Sequence, residues 1–175
     1  MANDILKIVH QKGETKNVPI IFAIYKQGAQ NSLIPGSILT YGKVGKSEEE
    51  ISDWEDIDEK YFLFPSEDAL TVHRDDSMML SNFTEKIHTY FQKDITVLGR
   101  GFYIDGALND LKIDIITGLA GEAELIGFTQ YISGIITDKF PDYLPINVKI
   151  KASNQVKALI ERNKWETTPI VKILD

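Results

Sequence analysis

The chain has 175 residues, 43% of them apolar and 26% charged, with no cysteine, a net charge of −7 and a pI near 5.0. These proportions exclude disordered and fibrous classes, and a chain of this length buries roughly 70% of its unfolded surface without needing staples. The missing cysteines exclude disulfides, thiolate zinc sites, iron–sulfur clusters and cysteine nucleophiles. Negative charge repels phosphate backbones and disfavours nucleic acid as a partner. Lys7, Lys12 and Lys16, or Lys149, Lys151 and Lys157, are candidate basic patches. The N-terminus lacks a basic region followed by an apolar stretch, and no apolar run reaches the about 20 residues that span a bilayer. The expectation is a cytoplasmic protein without a membrane partner.

In chain order, Ile5 to His10 and Val18 to Tyr25 read as strands, with Pro19 marking an edge or a strand start. Pro35-Gly36 turns the chain into a third strand at Ser37 to Tyr41, completing a meander. Ser47 with Glu50 has capping-box spacing and predicts a helix over Glu48 to Glu59, with Ile51, Trp54 and Ile57 on one face. Tyr61 to Phe64 reads as a buried strand or packed loop. Asn82 with Glu85 opens a second helix carrying Phe83, Ile87, Tyr90 and Phe91. Ile95 to Ile104 is a strand in which Gly99 and Gly101 mark a bulge or a close backbone approach. Turns follow at Asp105-Gly106 and Asn109-Asp110, and Leu111 to Ile116 alternates as a strand. A third helix buries Leu125, Phe128, Ile132, Ile135, Ile136 and Phe140, and stops at Pro141. Pro145 to Ile150 is a strand. Ser153 or Asn154 caps a short helix with Val156, Leu159 and Ile160 inward, and Ile170 to Leu174 is the last strand. The fold class is therefore α/β (α+β), a single domain over residues 1–175 with a mixed β-sheet, an N-terminal β meander and about four helices.

Three features could carry function. The histidines, His10, His73 and His88, have no metal-ligand spacing, so no metal site is expected. His73 near Asp75 and Asp76 is the one place where imidazole and carboxylates are close in sequence. Gly118-Leu119-Ala120-Gly121-Glu122-Ala123 joins a strand to a helix, where free backbone amides and the helix dipole can cradle an anion. The order strand, glycine-rich loop, helix, strand, capped helix, strand over residues 111–174 resembles the C-terminal half of the GCN5-related N-acetyltransferases. Gly118-x-x-Gly121-x-Ala123 is similar to that family's acetyl-CoA loop. Ile160-Glu161-Arg162-Asn163-Lys164-Trp165 is similar to the pattern that ends its last helix, with Ser153 or Asn154 at its asparagine position. The resemblance implies a cofactor, acetyl-CoA, held by the amides of Gly121, Glu122 and Ala123, and a sheet splayed open between Leu111 and Pro145.

The residues alone point elsewhere. Glu48, Glu49, Glu50, Asp53, Trp54, Glu55 and Asp56 form an acidic segment suited to contact with a protein. Ile20 to Tyr25 and the last strand are apolar enough to accept another strand at a sheet edge. The reading is a non-catalytic interaction or assembly protein without a cofactor. Its partner is a protein, with a second copy of the chain, a homo-oligomer, as one candidate. The acetyltransferase-like reading is the alternative.

Overall fold

The computed structural model describes every residue except Lys12, Glu14, Lys16, Ser47, Ser52, Gln92, Lys93, Ala120, Ser153 and Asp175. The fold is α+β, and it divides into two compact units, Met1–Lys60 with Ile104–Gly106, and Tyr61–Tyr103 with Ala107–Asp175.

The first unit opens with a helix, α1 (Ala2–Gln11), followed by β1 (Ile20–Lys26), β2 (Ser37–Val44) and β3 (Trp54–Asp56). The three strands form an antiparallel meander in the order β1-β2-β3. The predicted meander is thus present, but displaced along the chain. Ile5 to His10 is helix rather than strand, because Leu6, one turn beyond Ala2, inserts into a cluster with Val44 and Ile51. A short apolar run satisfies either period, and only its packing partner decides.

The second predicted element to change is the acidic helix. Ile51 is buried in that same cluster, and its amide donates to Asn3 Oδ1 at 3.1 Å. Trp54 to Asp56 then pair with Gly42, Tyr41 and Thr40 of β2. Glu48 folds back to accept from the Gly45 amide at 2.6 Å rather than starting a helix. Pairing with β2 overrides the local capping pattern, whose serine, Ser47, lies outside the described residues.

The second unit is built on a six-stranded sheet among the described residues, in the order β4 (Glu59–Phe64), β5 (Ile95–Ile104), β6 (Ala107–Thr117), β7 (Ile146–Ala152), β8 (Gln155–Arg162), β9 (Ile170–Ile173). Three helices accompany it, α2 (Glu67–Val72), α3 (Arg74–Tyr90) and α4 (Glu122–Lys139). Ser66 Oγ caps α2 by accepting from the Ala69 amide at 3.1 Å. Asn82 is interior to α3 rather than its cap. β5 turns into β6 at Asp105 and Gly106, both at positive φ (51° and 76°), the pattern that matches the twist of a two-residue hairpin. Gly99 and Gly101 do mark a close approach, since a Cβ on Gly101 would stand 2.9 Å from the Tyr103 ring and 3.0 Å from Phe64. Asn109 and Asp110 belong to β6 rather than to a turn.

Chain from β6 to β7 crosses through α4, and the two strands pair in parallel. The predicted stripe of α4, Leu125, Phe128, Ile132, Ile135, Ile136 and Phe140, is buried throughout. Alternate residues of β5, β6 and β7 are buried with it, including Ile113, Ile115, Val148 and Ile150, so one face of the sheet carries the core.

The predicted helix after Asn154 is instead strand β8, antiparallel to both β7 and β9. Asn154 takes a φ of 64° where Ala152 pairs with Gln155, so it serves a hairpin turn and not a helix cap. Ser153, the other proposed cap, lies outside the described residues. The strand then buries Ala158, Ile160 and Arg162 at a period of two.

Arg162 is the largest fully buried side chain. Nη1 donates to the carbonyls of Ile136 and Phe140, each at 3.1 Å, and Nη2 to those of Pro141 at 2.5 Å and Leu144 at 3.1 Å. It therefore holds the C-terminal end of α4, where carbonyls run out of helical partners and the dipole is negative. Burial pulls its guanidinium below the ordinary arginine range, and Asp142 opposes that pull.

Candidate interaction sites

Edges and charges of the first sheet come directly from its strand order. Among the described residues β1 is hydrogen-bonded as a strand to β2 alone, which makes it an edge of the sheet. Ile21, Ile24 and Tyr25 on it are 67%, 48% and 56% exposed. At the far end of the second sheet β9 is likewise an edge, and Ile170, Val171 and Ile173 are exposed there. Both segments were legible as edge candidates from their apolar content.

The acidic residues do not form one face of a helix. Glu49, Glu50 and Asp56 are exposed, as are Glu48, Asp53, Trp54 and Glu55. Glu48 is committed to Gly45 and Glu55 to its neighbours on β2. The Tyr41 hydroxyl donates to Glu55 Oε2, and Lys43 Nζ lies 3.5 Å from Oε1. The tyrosine bond, opposed by desolvation and helped by the Lys43 charge, holds the Glu55 carboxyl below the usual glutamate range. A depressed folded-state pKa contributes stability above the ordinary carboxylate range and loses it as pH falls through the folded value. In a Tyr41→Phe variant the Glu55 carboxyl is expected to titrate higher than in the parent. A carbon-detected NMR pH titration checks this, and an unchanged midpoint would remove the tyrosine as the cause.

The turn Gly118 to Ala123 meets the N-terminus of α4 with Gly121 as the cap residue, and Glu122 and Glu124 occupy the first helical turn. A small cavity of about 260 Å³ lies beside it, lined by Leu119, Gly121, Glu122 and Leu125, with Lys157, Ile173 and Leu174 across from them. Gly118 and Ala123 do not line it, and Ala120 lies outside the described residues. Beside it the sheet is closed: Leu111 pairs with Ile146, and the ladder runs unbroken to Ile116 with Lys151. The Leu111 amide also donates to the Pro145 carbonyl at 3.1 Å, so the expected splay between these strands is absent.

His73 precedes α3, and its ring stacks on Tyr103 at 3.7 Å between centroids, with Phe62 edge-on to both. The Tyr103 hydroxyl donates to Asp76 Oδ2 at 2.7 Å. Burial, then the Asp76 hydrogen bond and charge, push the Tyr103 phenol well above its ordinary range. His73 and Asp76 are thus both tied to one buried tyrosine, and Asp75 lies apart on the rim of another cavity. No group of three or more metal-ligating side chains occurs among the described residues. Of the proposed basic patches, Lys151 pairs with Asp114 at 2.8 Å, while Lys12 and Lys16 lie outside the described residues. No helix among the described residues is long and apolar enough to cross a membrane.

Sequence reasoning missed two features. One is Arg162, whose only signal is its place in the period-two pattern of Ala158 and Ile160. The other is a groove between α2 and α3, which Pro65-Ser66-Glu67 could have revealed as the start of an extra helix.

Residues 1–167 match the family model described as CamS sex pheromone cAM373 precursor. No curated protein matches the chain. The solved C-terminal domain of the sex pheromone staph-cAM373 precursor from Staphylococcus aureus is 30% identical, with a TM-score of 0.86 over 99% of this chain and 52% of that one. A sex pheromone precursor from Lactobacillus salivarius subsp. salivarius UCC118 is 28% identical, with a TM-score of 0.88 over 99% of this chain and 51% of that one. This chain therefore spans about half the length of those two structures.

These matches overturn the resemblance to the GCN5-related N-acetyltransferases. The family match covers all but the last residues of the segment that carried it, β8 replaces the required helix, and the closed β6–β7 ladder leaves no opening of the kind that family uses. From its match over nearly its whole length, the chain belongs to the CamS sex pheromone cAM373 precursor family.

Proposed function

We propose that this chain is a non-catalytic interaction domain of a longer pheromone precursor, and that it assembles by pairing β1 with β1 of a second copy. The observation that carries this reading is the free edge of β1, with Ile21, Ile24 and Tyr25 exposed along it. Proteins ordinarily blunt such an edge with charge or proline, and β1 carries neither before Lys26 at its end. An antiparallel pair centred on Ala23 is two-fold symmetric and self-complementary. It sets Ile21 across from Tyr25 and Phe22 across from Ile24, the aromatic and β-branched combinations that stabilise sheets. The two Lys26 side chains then stand roughly 20 Å apart, beyond a Debye length at physiological salt.

Light scattering across a concentration series tests the proposal. The parent is expected to dimerise more strongly as salt rises, because each copy carries −7 and screening relieves their repulsion. Ala23→Lys places two like charges face to face at the centre of the pair and is expected to be monomeric with unchanged circular dichroism. A parent that stays monomeric at its solubility limit, or an Ala23→Lys protein that still dimerises, would remove the reading. Association that weakens with salt would instead point to attraction between opposite charges on the two copies and would count against the apolar edge.

The family description also bears on location. A pheromone precursor is a product for export, so this reading puts the domain outside the cytoplasm, against the expectation drawn from its N-terminus and apolar runs. Cysteine-free composition suits either side of the membrane.

A further inference from the structure

The groove between α2 and α3 has a volume of about 810 Å³ and a chemical bias of its own. Phe64, Pro65, Leu70, Leu80 and Val97 supply its apolar surface. Leu80 is buried under it, and Leu70 is exposed at its side. The acidic side chains that line it are Glu67 and Glu85, the imidazole of His88 lines it beside them, and no lysine or arginine does so among the described residues. The larger cavity against α4 differs, because Lys86 and Lys139 line it together with Asp75 and Glu85 and leave no preferred sign.

Four hydroxyls line it, and of these Ser77 Oγ is buried with no hydrogen-bond partner among the described residues, whereas two others are taken. Ser66 is committed to capping α2, and Thr84 donates to the Leu80 carbonyl at 2.9 Å. Ionised carboxylates only accept hydrogen bonds. A ligand that satisfies the groove therefore needs an apolar body for the floor and a donating cation for the rim, since charge-assisted bonds to carboxylates are the strong ones. A carboxylate or phosphate head would meet two like charges. The volume suits a small molecule, within the range of ordinary ligand pockets.

We propose that this groove binds a single-chain aliphatic amine, its chain along Leu80 and Val97 and its ammonium group at Glu67 and Glu85. The site is independent of the β1 edge, so either reading can fail alone.

Isothermal titration with n-octylammonium, octanoate and octanol tests it. One octylammonium per chain is expected, bound about tenfold or more tighter than octanoate, with octanol between them. In a Glu67→Gln, Glu85→Gln double variant octylammonium is expected to fall to the affinity of octanol. Both side chains are exposed, and circular dichroism confirms that the variant is folded. Because the whole chain is acidic, diffuse attraction is the competing explanation. Several weak sites per chain, an unchanged affinity in the double variant, octanoate binding as tightly, or no saturable binding would each overturn the proposal.

Discussion

Replacing Arg162 with methionine is expected to lower the stability of the second unit by about 3–4 kcal/mol. The side chain is 2% exposed and donates to four main-chain carbonyls, those of Ile136, Phe140, Pro141 and Leu144. Methionine fills most of the volume of the stem but donates nothing. Each carbonyl left without a partner costs about 1–3 kcal/mol, and water near the chain reversal can relieve part of that sum. The Ile136 and Pro141 carbonyls keep the amides of Phe140 and Leu144, so the larger losses fall on the carbonyls of Phe140 and Leu144. Lysine keeps the charge but not the planar fork, so Arg162→Lys is expected to recover only part of the loss. Urea unfolding monitored by far-ultraviolet circular dichroism measures both. A methionine variant within 1 kcal/mol of the parent would show that the carbonyls do not depend on the guanidinium.

The second large effect is expected at Phe128, where alanine should cost about 3–5 kcal/mol. Phe128 is 0% exposed, and its ring meets that of Phe91 edge-on at 4.7 Å. The loss combines the transfer free energy of the ring with a cavity that Ile132 and Phe91 fill only partly. Ile126, two residues earlier on the outer side of α4, is the control, because it is exposed. Its replacement by alanine is expected to change stability by less than about 1 kcal/mol. Equal losses at the two positions would mean that α4 presents a different face to the sheet.

Both predictions fall on α4 and its exit, and the two were not equally legible. The stripe through Phe128 and Ile132 repeats at helical spacing from Leu125 to Phe140, long enough that no strand could satisfy it. The parallel pair it links, β6 and β7, alternates strictly on either side. Short segments behaved otherwise. Ile5 to His10, Glu48 to Glu59 and Gln155 to Arg162 each satisfied a local rule for the wrong element. Asn154 suits a helix cap and a hairpin turn alike, and its sequence context does not choose between them.

Candidate sites divide along the same line. The apolar content of Ile20 to Lys26 was visible in the sequence, but its freedom on one side is a consequence of strand order. The acidic segment was visible too, yet whether its carboxylates form one face depended on a helix that pairing with β2 replaced. The turn at Gly118 to Ala123 does join a strand to a helix, but the acetyltransferase resemblance attached to it fell with the family match and the closed neighbouring ladder.

By itself the sequence determined the α+β class, the strand–helix–strand unit around α4, and the lack of cysteine chemistry. These rest on composition and on periodicity sustained over many residues, which are properties of the chain alone. Tertiary structure decided the identity of the short elements, the bonds of Arg162, the free edge of β1 and the groove between α2 and α3. Each of these depends on which distant residues meet, and a few local hydrogen bonds are too weak to outweigh a buried side chain or a paired strand.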